Sequence, residues 1–329
     1  MSGGGFADEL PPAGLAAQGL AMRRALLADL VQLSDRHLLT TVDPRIRADL
    51  PAGVEAVAVP PGGFREIFAE VARAAGSVWL IAPESGGRLA ELAALAERLG
   101  AMVVGPGPTA IRAASDKLAL CRRLEEAGLL LPRTWPGGDT ESAVREAGFP
   151  LVVKPNTGAG CSGVTLVRDR SGLADALAAA AAVGSPPIVQ EYVPGVPASA
   201  SVLCAEGRAR ALGLNGQTVV AGRPFAYLGG RSPLEHPQRR GALRAACRTC
   251  ELVPGLRGYV GVDLVLSARG PVVIELNPRL TTAYIGLRAA VDRNLAGLIL
   301  AAAEGRLVRR SPTIRRAVCF RANGRVASL

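Results

Sequence analysis

Apolar and polar positions alternate with two different periods along the chain, and the changes of period mark its elements. Residues 13–36 place Leu20, Ala21, Leu26, Leu27, Leu30 and Val31 near helical spacing, which predicts an amphipathic helix. Runs at 37–42, 54–59, 78–82 and 102–104 predict strands, and helical stretches at 64–75 and 88–99 separate the last three. Strand alternating with helix predicts a small parallel sheet with helices on its faces, whose ligands bind beyond the carboxyl ends of the strands. Asp43 and the run Pro83-Glu84-Ser85-Gly86-Gly87 follow two such ends. Lining a pocket and capping the next helix both stay open for them.

The cluster Gly105-Pro106-Gly107-Pro108 reads as a domain edge. Beyond it, residues 111–127 predict a helix with Ser115-Asp116-Lys117 in its early part, and a second helix spans 141–147. Lys154 lies in the strand Leu151-Val152-Val153-Lys154, followed by the Gly-rich stretch 156–163 and another strand. An Ala-rich helix at 171–183 leads to a strand at 187–193 that ends in Pro194-Gly195, and strands at 199–205 and 209–215 follow. Residues 215–237 read as a polar, Gly-rich segment and 239–252 as a helix. The apolar runs 258–266 and 271–276 then predict a hairpin around a turn at 267–270. The last stretch, 306–329, carries Arg309, Arg310, Arg315 and Arg316 and predicts a final strand or a partly loose tail.

Composition narrows the classes. No run of about 18 uncharged apolar residues occurs, so no membrane span is expected, and the start lacks the basic head of a secretory signal. Six Cys in 329 residues fall short of a disulfide scaffold and point to a reducing cytoplasm. Cys247-x-x-Cys250 has no second pair, so it predicts one face of an Arg-rich helix. A net charge of +10 suits anionic partners, but the basic residues are spread and only 4% of residues are aromatic. Nucleic acid is therefore discounted. More telling, only two of the 38 basic residues are Lys: Lys117 and Lys154. In a chain that otherwise uses Arg, they mark places that need a compact ammonium.

Chemistry concentrates in the hairpin. Glu275 and Asn277 point to one face of their strand, and Asp263 falls opposite Glu275 or within one residue of it. Acids inside near-continuous apolar runs need a partner or a metal. This all-oxygen set suits Mg²⁺ shared with a substrate's phosphates, and Arg279 adds a fixed cation after Pro278. Gly158, Gly160 and Gly163 let backbone N–H groups approach phosphate oxygens. The loop leads to a strand, so it is neither a P-loop nor a dinucleotide fingerprint.

In this order the pieces resemble an ATP-grasp carboxylate–amine ligase over roughly residues 7–305. The resemblance implies an α/β N-terminal domain followed by two α+β lobes that hold ATP between them. The expected division is 1–112, then 113–185 with the covering loop, 186–305 with the metal site, and a tail at 306–329. It implies phosphate contacts from Lys117 and Lys154, and a mobile cover formed by Gly158, Gly160, Cys161, Ser162 and Gly163. It further implies an adenine-binding hinge at Gln190, Glu191, Tyr192 and Val193, and Mg²⁺ or Mn²⁺ ligation by Asp263, Glu275 and Asn277. Lys154 and Arg279 would be catalytic. Two positions depart from the family: Val196-Pro197-Ala198-Ser199 replaces an acidic ribose contact, and Gly261 stands where D-alanine–D-alanine ligases carry Arg.

The segments 214–217, 227–237 and 277–282 further resemble the tyramine–L-glutamate ligase branch, which serves methanofuran-type one-carbon cofactor synthesis. That implies a small-molecule carboxylate and an amine as partners. Glu84, Gln217, Tyr227, Arg231, Thr281 and Thr282 are its candidate substrate residues. The expected reaction is ADP-forming ligation of glutamate to tyramine or a tyrosine-like amine. A different acid–amine pair, or an ATP-binding protein without turnover, are the alternatives. A homodimer is an open expectation.

Overall fold

The computed structural model describes residues 3–5, 13–33, 36–47 and 49–329. Residues 7–12, inside the stretch of family resemblance, and residues 34–35 of the first expected helix lie outside them. The first helix, α1 (Ala13–Leu30), is shorter than the sequence pattern suggests. There follow β1 (Leu38–Val42), β2 (Val54–Ala58), α2 (Phe64–Ala74), β3 (Ser77–Val78), α3 (Arg88–Arg98) and β4 (Met102–Val103). β1 pairs with β2 and β3 with β4, both in parallel. The single parallel sheet expected here is thus two separate pairs. The reason lies in residues 79–82: Trp79 and Ile81 pack toward α1, while Val78 and Leu80 pack toward α2 and α3. The alternation is that of a strand, but both faces are spent on packing and the segment forms no ladder.

The helix predicted at 111–127 is two helices, α4 (Pro108–Ser115) and α5 (Lys117–Glu126). Asp116 breaks it with an extended backbone and caps α5, its side chain accepting from Ala119 N. Lys117 therefore opens a helix instead of lying within one.

The central lobe holds β5 (Thr134–Pro136), α6 (Thr140–Ala147), β6 (Leu151–Pro155), β7 (Thr165–Val167), α7 (Leu173–Ala181) and β8 (Pro187–Glu191). Its sheet runs β5-β8-β6-β7, antiparallel throughout, with α6 and α7 on one face.

Then come β9 (Val196–Ala205), β10 (Arg208–Val220), β11 (Ala226–Ser232), α8 (Arg239–Glu251), β12 (Gly258–Ser267) and β13 (Gly270–Asn277). The chain continues through α9 (Ala283–Ala290), α10 (Leu295–Ala303), β14 (Val318–Arg321) and β15 (Val326–Ser328). One seven-stranded sheet collects these strands in the order β13-β12-β9-β10-β11-β14-β15. Alternation along β9 explains its two faces. Ala198, Ala200, Val202 and Cys204 pack toward α8, whereas Leu203 packs toward α1, α9 and α10. Cys250 is buried on the α8 side, where burial pushes its thiol up.

One segment read as irregular contains a strand, and the tail takes the strand alternative. β11 sits inside the stretch 215–237, disguised by Gly229, where a Cβ would meet Phe320 O at 2.1 Å, and by Gly230, where it would meet Gly216 O at 2.1 Å. The tail supplies β14 and β15, and β14 pairs with β11. Among the described residues no helix is long and apolar enough to cross a membrane.

Candidate active site

A cleft of about 290 Å³ lies between the central sheet and the front of the seven-stranded sheet. β6 brings Lys154 to it, 4% exposed, and α5 brings Lys117, 8% exposed. Asn156 ties the two together. Its Oδ1 accepts from Leu118 N at 2.8 Å, its Nδ2 donates to Asp116 Oδ1 at 2.9 Å, and its carbonyl accepts from Lys117 N at 3.3 Å. One asparagine thus locks the start of α5 onto the exit of β6. Lys117 Nζ then donates to Gly158 O at 3.4 Å and stands 3.4 Å from Glu275 Oε2.

The loop after Lys154 places Gly158, Gly160, Cys161 and Ser162 along the cleft. Cys161 adopts φ +64°, unusual outside glycine. Burial, then the charges of Glu275 and Asp263, push its thiol up to about 12, so it is a neutral wall. Gly163 lies outside the cleft lining, packed where a Cβ would meet Val183, Pro155 and Ala179 O. Its work is to let the loop turn back into β7.

At the hinge, Gln190, Glu191, Tyr192 and Val193 all border the cleft. Two of their side chains are already engaged. Gln190 Nε2 donates to Thr134 Oγ1 at 2.9 Å, and Glu191 pairs with Arg269 at 3.1 Å and Arg133 at 3.5 Å. The hinge therefore has the backbone of Tyr192 and Val193 to offer a flat polar edge.

On the opposite wall, Asp263 and Glu275 are direct partners across β12 and β13, and the register shifts just after Asp263. Asp263 accepts from Gln217 Nε2 at 2.9 Å and from Asn277 Nδ2 at 3.1 Å. Burial and then the neighbouring Glu275 charge raise its carboxyl to about 7, against those hydrogen bonds. Burial also works to raise Glu275, but Lys117 and Lys154 outweigh it and hold this carboxylate below its ordinary range. Lys154 in turn is lowered by burial first, with Glu275 pulling the other way. Two abutting carboxylates, one strained toward protonation, form a seat short of positive charge. Among the described residues no three His, Cys, Asp or Glu side chains cluster. A cation here would take Asp263, Glu275 and the Asn277 amide oxygen, then complete its shell from phosphates or water. Hard divalent ions such as Mg²⁺ accept that set.

Arg279 borders the cleft, with its Nε 2.9 Å from Glu84 Oε1 and its Nη1 donating to Leu280 O at 3.1 Å. Gln217, Tyr227, Thr281 and Thr282 also line it. Thr282 Oγ1 donates to the Tyr227 hydroxyl at 2.8 Å, and Thr281 Oγ1 shares a 3.0 Å hydrogen bond with Tyr259. Burial raises the Tyr227 hydroxyl well above the usual phenol range. Two of the candidate substrate residues are not brought to the cleft. Arg231 is exposed and outside the lining, its stem lying over Gly216 on the neighbouring strand. Glu84 is also outside the lining and meets Arg279 instead.

Sequence reasoning missed Gln18 and Met22, which reach the cleft from α1. Their i, i+4 spacing and a glutamine next to an apolar stripe were the available signal.

The resemblance seen in the motifs extends to known proteins. Residues 36–111 match the pre ATP-grasp 3 domain and residues 114–283 the ATP-grasp domain. The tyramine–L-glutamate ligase of Methanocaldococcus jannaschii is 30% identical over 113 residues, 34% of this chain and 35% of that one. The D-alanine–D-alanine ligase of Synechococcus sp. (strain JA-3-3Ab) is 33% identical over 131 residues, 38% of this chain and 41% of that one. The matches thus span well under half the length of either curated relative. A crystal structure of a putative ATP-grasp superfamily protein from Archaeoglobus fulgidus superposes with a TM-score of 0.70 at 23% identity, covering 97% of this chain and 90% of that one. With its ATP-grasp match alone covering more than half of its length, the chain belongs to the ATP-grasp family.

Proposed function

We propose that the protein is an ADP-forming carboxylate–amine ligase that uses ATP and Mg²⁺, or Mn²⁺, to join glutamate to tyramine or a tyrosine-like amine. The observation that carries the reading is the convergence on one cleft of both lysines of the chain, two abutting carboxylates and Arg279. No His or Cys nucleophile is called for. In the proposed reaction a carboxylate oxygen attacks the γ-phosphorus and the bond to ADP breaks, leaving an acyl phosphate. The amine nitrogen then attacks the acyl carbon, phosphate departs, and the amine gives up a proton.

A bound Mg²⁺ would draw charge from the phosphate oxygens and hold them for in-line transfer. The chain's own groups do the rest. Lys117 and Lys154 neutralise the transferring phosphoryl group at a site from which water is largely excluded. The 158–162 backbone covers it, and the Tyr192–Val193 backbone takes the adenine edge. Arg279 meets the negative charge that develops on the acyl oxygen as the amine adds to the acyl carbon. Tyr227, steadied by Thr282, walls the acceptor end together with Gln18 and Met22. A phenol, an amide and a thioether suit an aromatic amine, and the partial match to a tyramine–L-glutamate ligase supports the same pair. The match to a D-alanine–D-alanine ligase supports the second reading, a different amino acid as acceptor. The division at 112/113, 185/186 and 305/306, a cytoplasmic setting and a possible homodimer belong to the same proposal.

ADP release is the test, measured with ATP, Mg²⁺ and L-glutamate while tyramine, tyrosine and other amines are added singly. Release that needs glutamate and one aromatic amine, with an amide product of matching mass, supports the full reading. Release only with other pairs keeps the ligase and discards the branch. Nucleotide binding without release from any pair refutes turnover.

A further inference from the structure

Glu84 is an acid in an unusual position. It follows the extended segment 79–82 of the N-terminal region, its side chain is 4% exposed, and it is not part of the cleft lining. Its Oε1 stands 2.9 Å from Arg279 Nε, but the two are out of alignment for a hydrogen bond. Both carboxylate oxygens and Nε are consequently buried without one. A buried acid and a buried guanidinium that lack hydrogen bonds do not contribute much to stability. The pairing must be explained by something other than the fold's strength.

The surroundings of Arg279 supply the explanation. Besides the cleft it borders a small cavity of about 20 Å³ whose walls include Leu26, Trp79 and Ile81. Apart from Glu84 that side is largely apolar, and the other anions whose charge Arg279 feels are Asp263 and Glu275. Without Glu84 the guanidinium would keep only its Nη1 hydrogen bond to Leu280 O and have those two carboxylates as its remaining counter-charges.

We propose that Glu84 is a positioning residue: it draws the Arg279 guanidinium back from Asp263 and Glu275. That keeps the carboxylates open for the metal and the arginine aimed at the reacting carboxylate. The kinetic part rests on the ligase reading above. The binding part does not.

The test compares wild type with Glu84→Gln, Glu84→Asp, Arg279→Met and the Glu84→Gln/Arg279→Met double variant. Glu84→Gln should lower kcat by about 10- to 100-fold, the range for losing a partner that orients a functional group, with the KM for ATP unchanged at saturating Mg²⁺. Glu84→Asp should recover part of the loss. In the Arg279→Met background Glu84→Gln should cost nothing further, because its effect passes through the arginine. An equal loss in both backgrounds, or a drop in melting temperature with kcat intact, overturns the proposal. Mn²⁺ binding in the presence of ADP, read by electron paramagnetic resonance, needs no turnover. Glu84→Gln should weaken it about tenfold, and the double variant should restore it. If wild type turns over no pair, the ligase reading falls while this arm still decides. Unchanged Mn²⁺ binding in Glu84→Gln overturns the positioning role.

Discussion

Replacing Lys154 by Arg keeps the charge and changes its shape and place. The side chain is 4% exposed on β6, beneath the covering loop, and its ammonium is desolvated with Glu275 as counter-charge. At an effective dielectric of about 20, unit charges about 4 Å apart attract by about 4 kcal/mol. A bulkier guanidinium cannot sit at the same point in so closed a site. Displacement to about 6 Å leaves about 2.8 kcal/mol, and the missing 1.4 kcal/mol or so is a factor of about ten in rate. If the ammonium bridges two phosphate groups the loss applies twice, so kcat should fall by about one to two orders of magnitude. The assay is steady-state ADP release, with thermal melts to correct for the strain of overpacking, about 1–3 kcal/mol. Turnover within about threefold of wild type, a difference of less than 1 kcal/mol, would refute a point-charge role for Lys154.

Glu275→Ala should abolish Mg²⁺-dependent turnover, because it removes one carboxylate of the seat and leaves Lys117 and Lys154 facing each other; activity that survives would move the metal elsewhere. Gly229→Ala should destabilise the fold by about 1–3 kcal/mol, since its φ is +136° and a Cβ would lie 2.1 Å from Phe320 O. An unchanged urea midpoint would show that β11 and β14 do not pair this closely. Asp43 is 1% exposed and accepts from Arg45 Nη2 at 2.8 Å, Nε at 2.9 Å and N at 3.0 Å. The Arg45 side-chain hydrogen bonds, against the opposing effect of burial, hold its carboxyl below the ordinary range. Its stabilisation is therefore full above the unfolded value and lost as pH falls through the folded one. Denaturation of wild type and Asp43→Asn should differ at neutral pH, begin to converge only as pH falls below about 4, and meet once it has fallen below the depressed folded value; a gap unchanged all the way into strong acid would contradict the pairing.

Where local chemistry dictates geometry, the chain could be read directly. A two-residue turn sets β12 against β13 in a register that would bring Asp263 opposite Ile274, and a one-residue register shift just after Asp263 turns it to Glu275, inside the one-residue margin the sequence left open. The scarcity of lysine located both ammonium groups without any knowledge of the fold. Reading failed where distant residues decide. Gly229 and Gly230 look like a loop until Phe320, some ninety residues on, takes the space of their missing side chains. Trp79 to Ala82 has the pattern of a strand, but its neighbours are helices and its ladder is never built. Glu84 was legible as an acid beyond a strand end, yet its target, Arg279, lies 195 positions away. The helices α9 and α10 were passed over between β13 and the tail, although Leu295–Ala303 is almost wholly apolar.

The placement of α1 has a consequence for how the molecule can be taken apart. Ala21, Met22, Ala25, Leu26, Leu27 and Leu30 share one core with Tyr259, Tyr284, Leu295 and Ile299. Asp29 accepts from the Tyr284 hydroxyl and from Arg288. The earliest helix is therefore sealed into the latest lobe, and a cut in the chain near Gly105–Pro108 does not separate two self-sufficient bodies. A fragment beginning at residue 113 would expose the apolar faces of α9 and α10, which favours aggregation over folding. Shuffling of N-terminal domains between relatives would have to carry the facing residues of α9 and α10 with them.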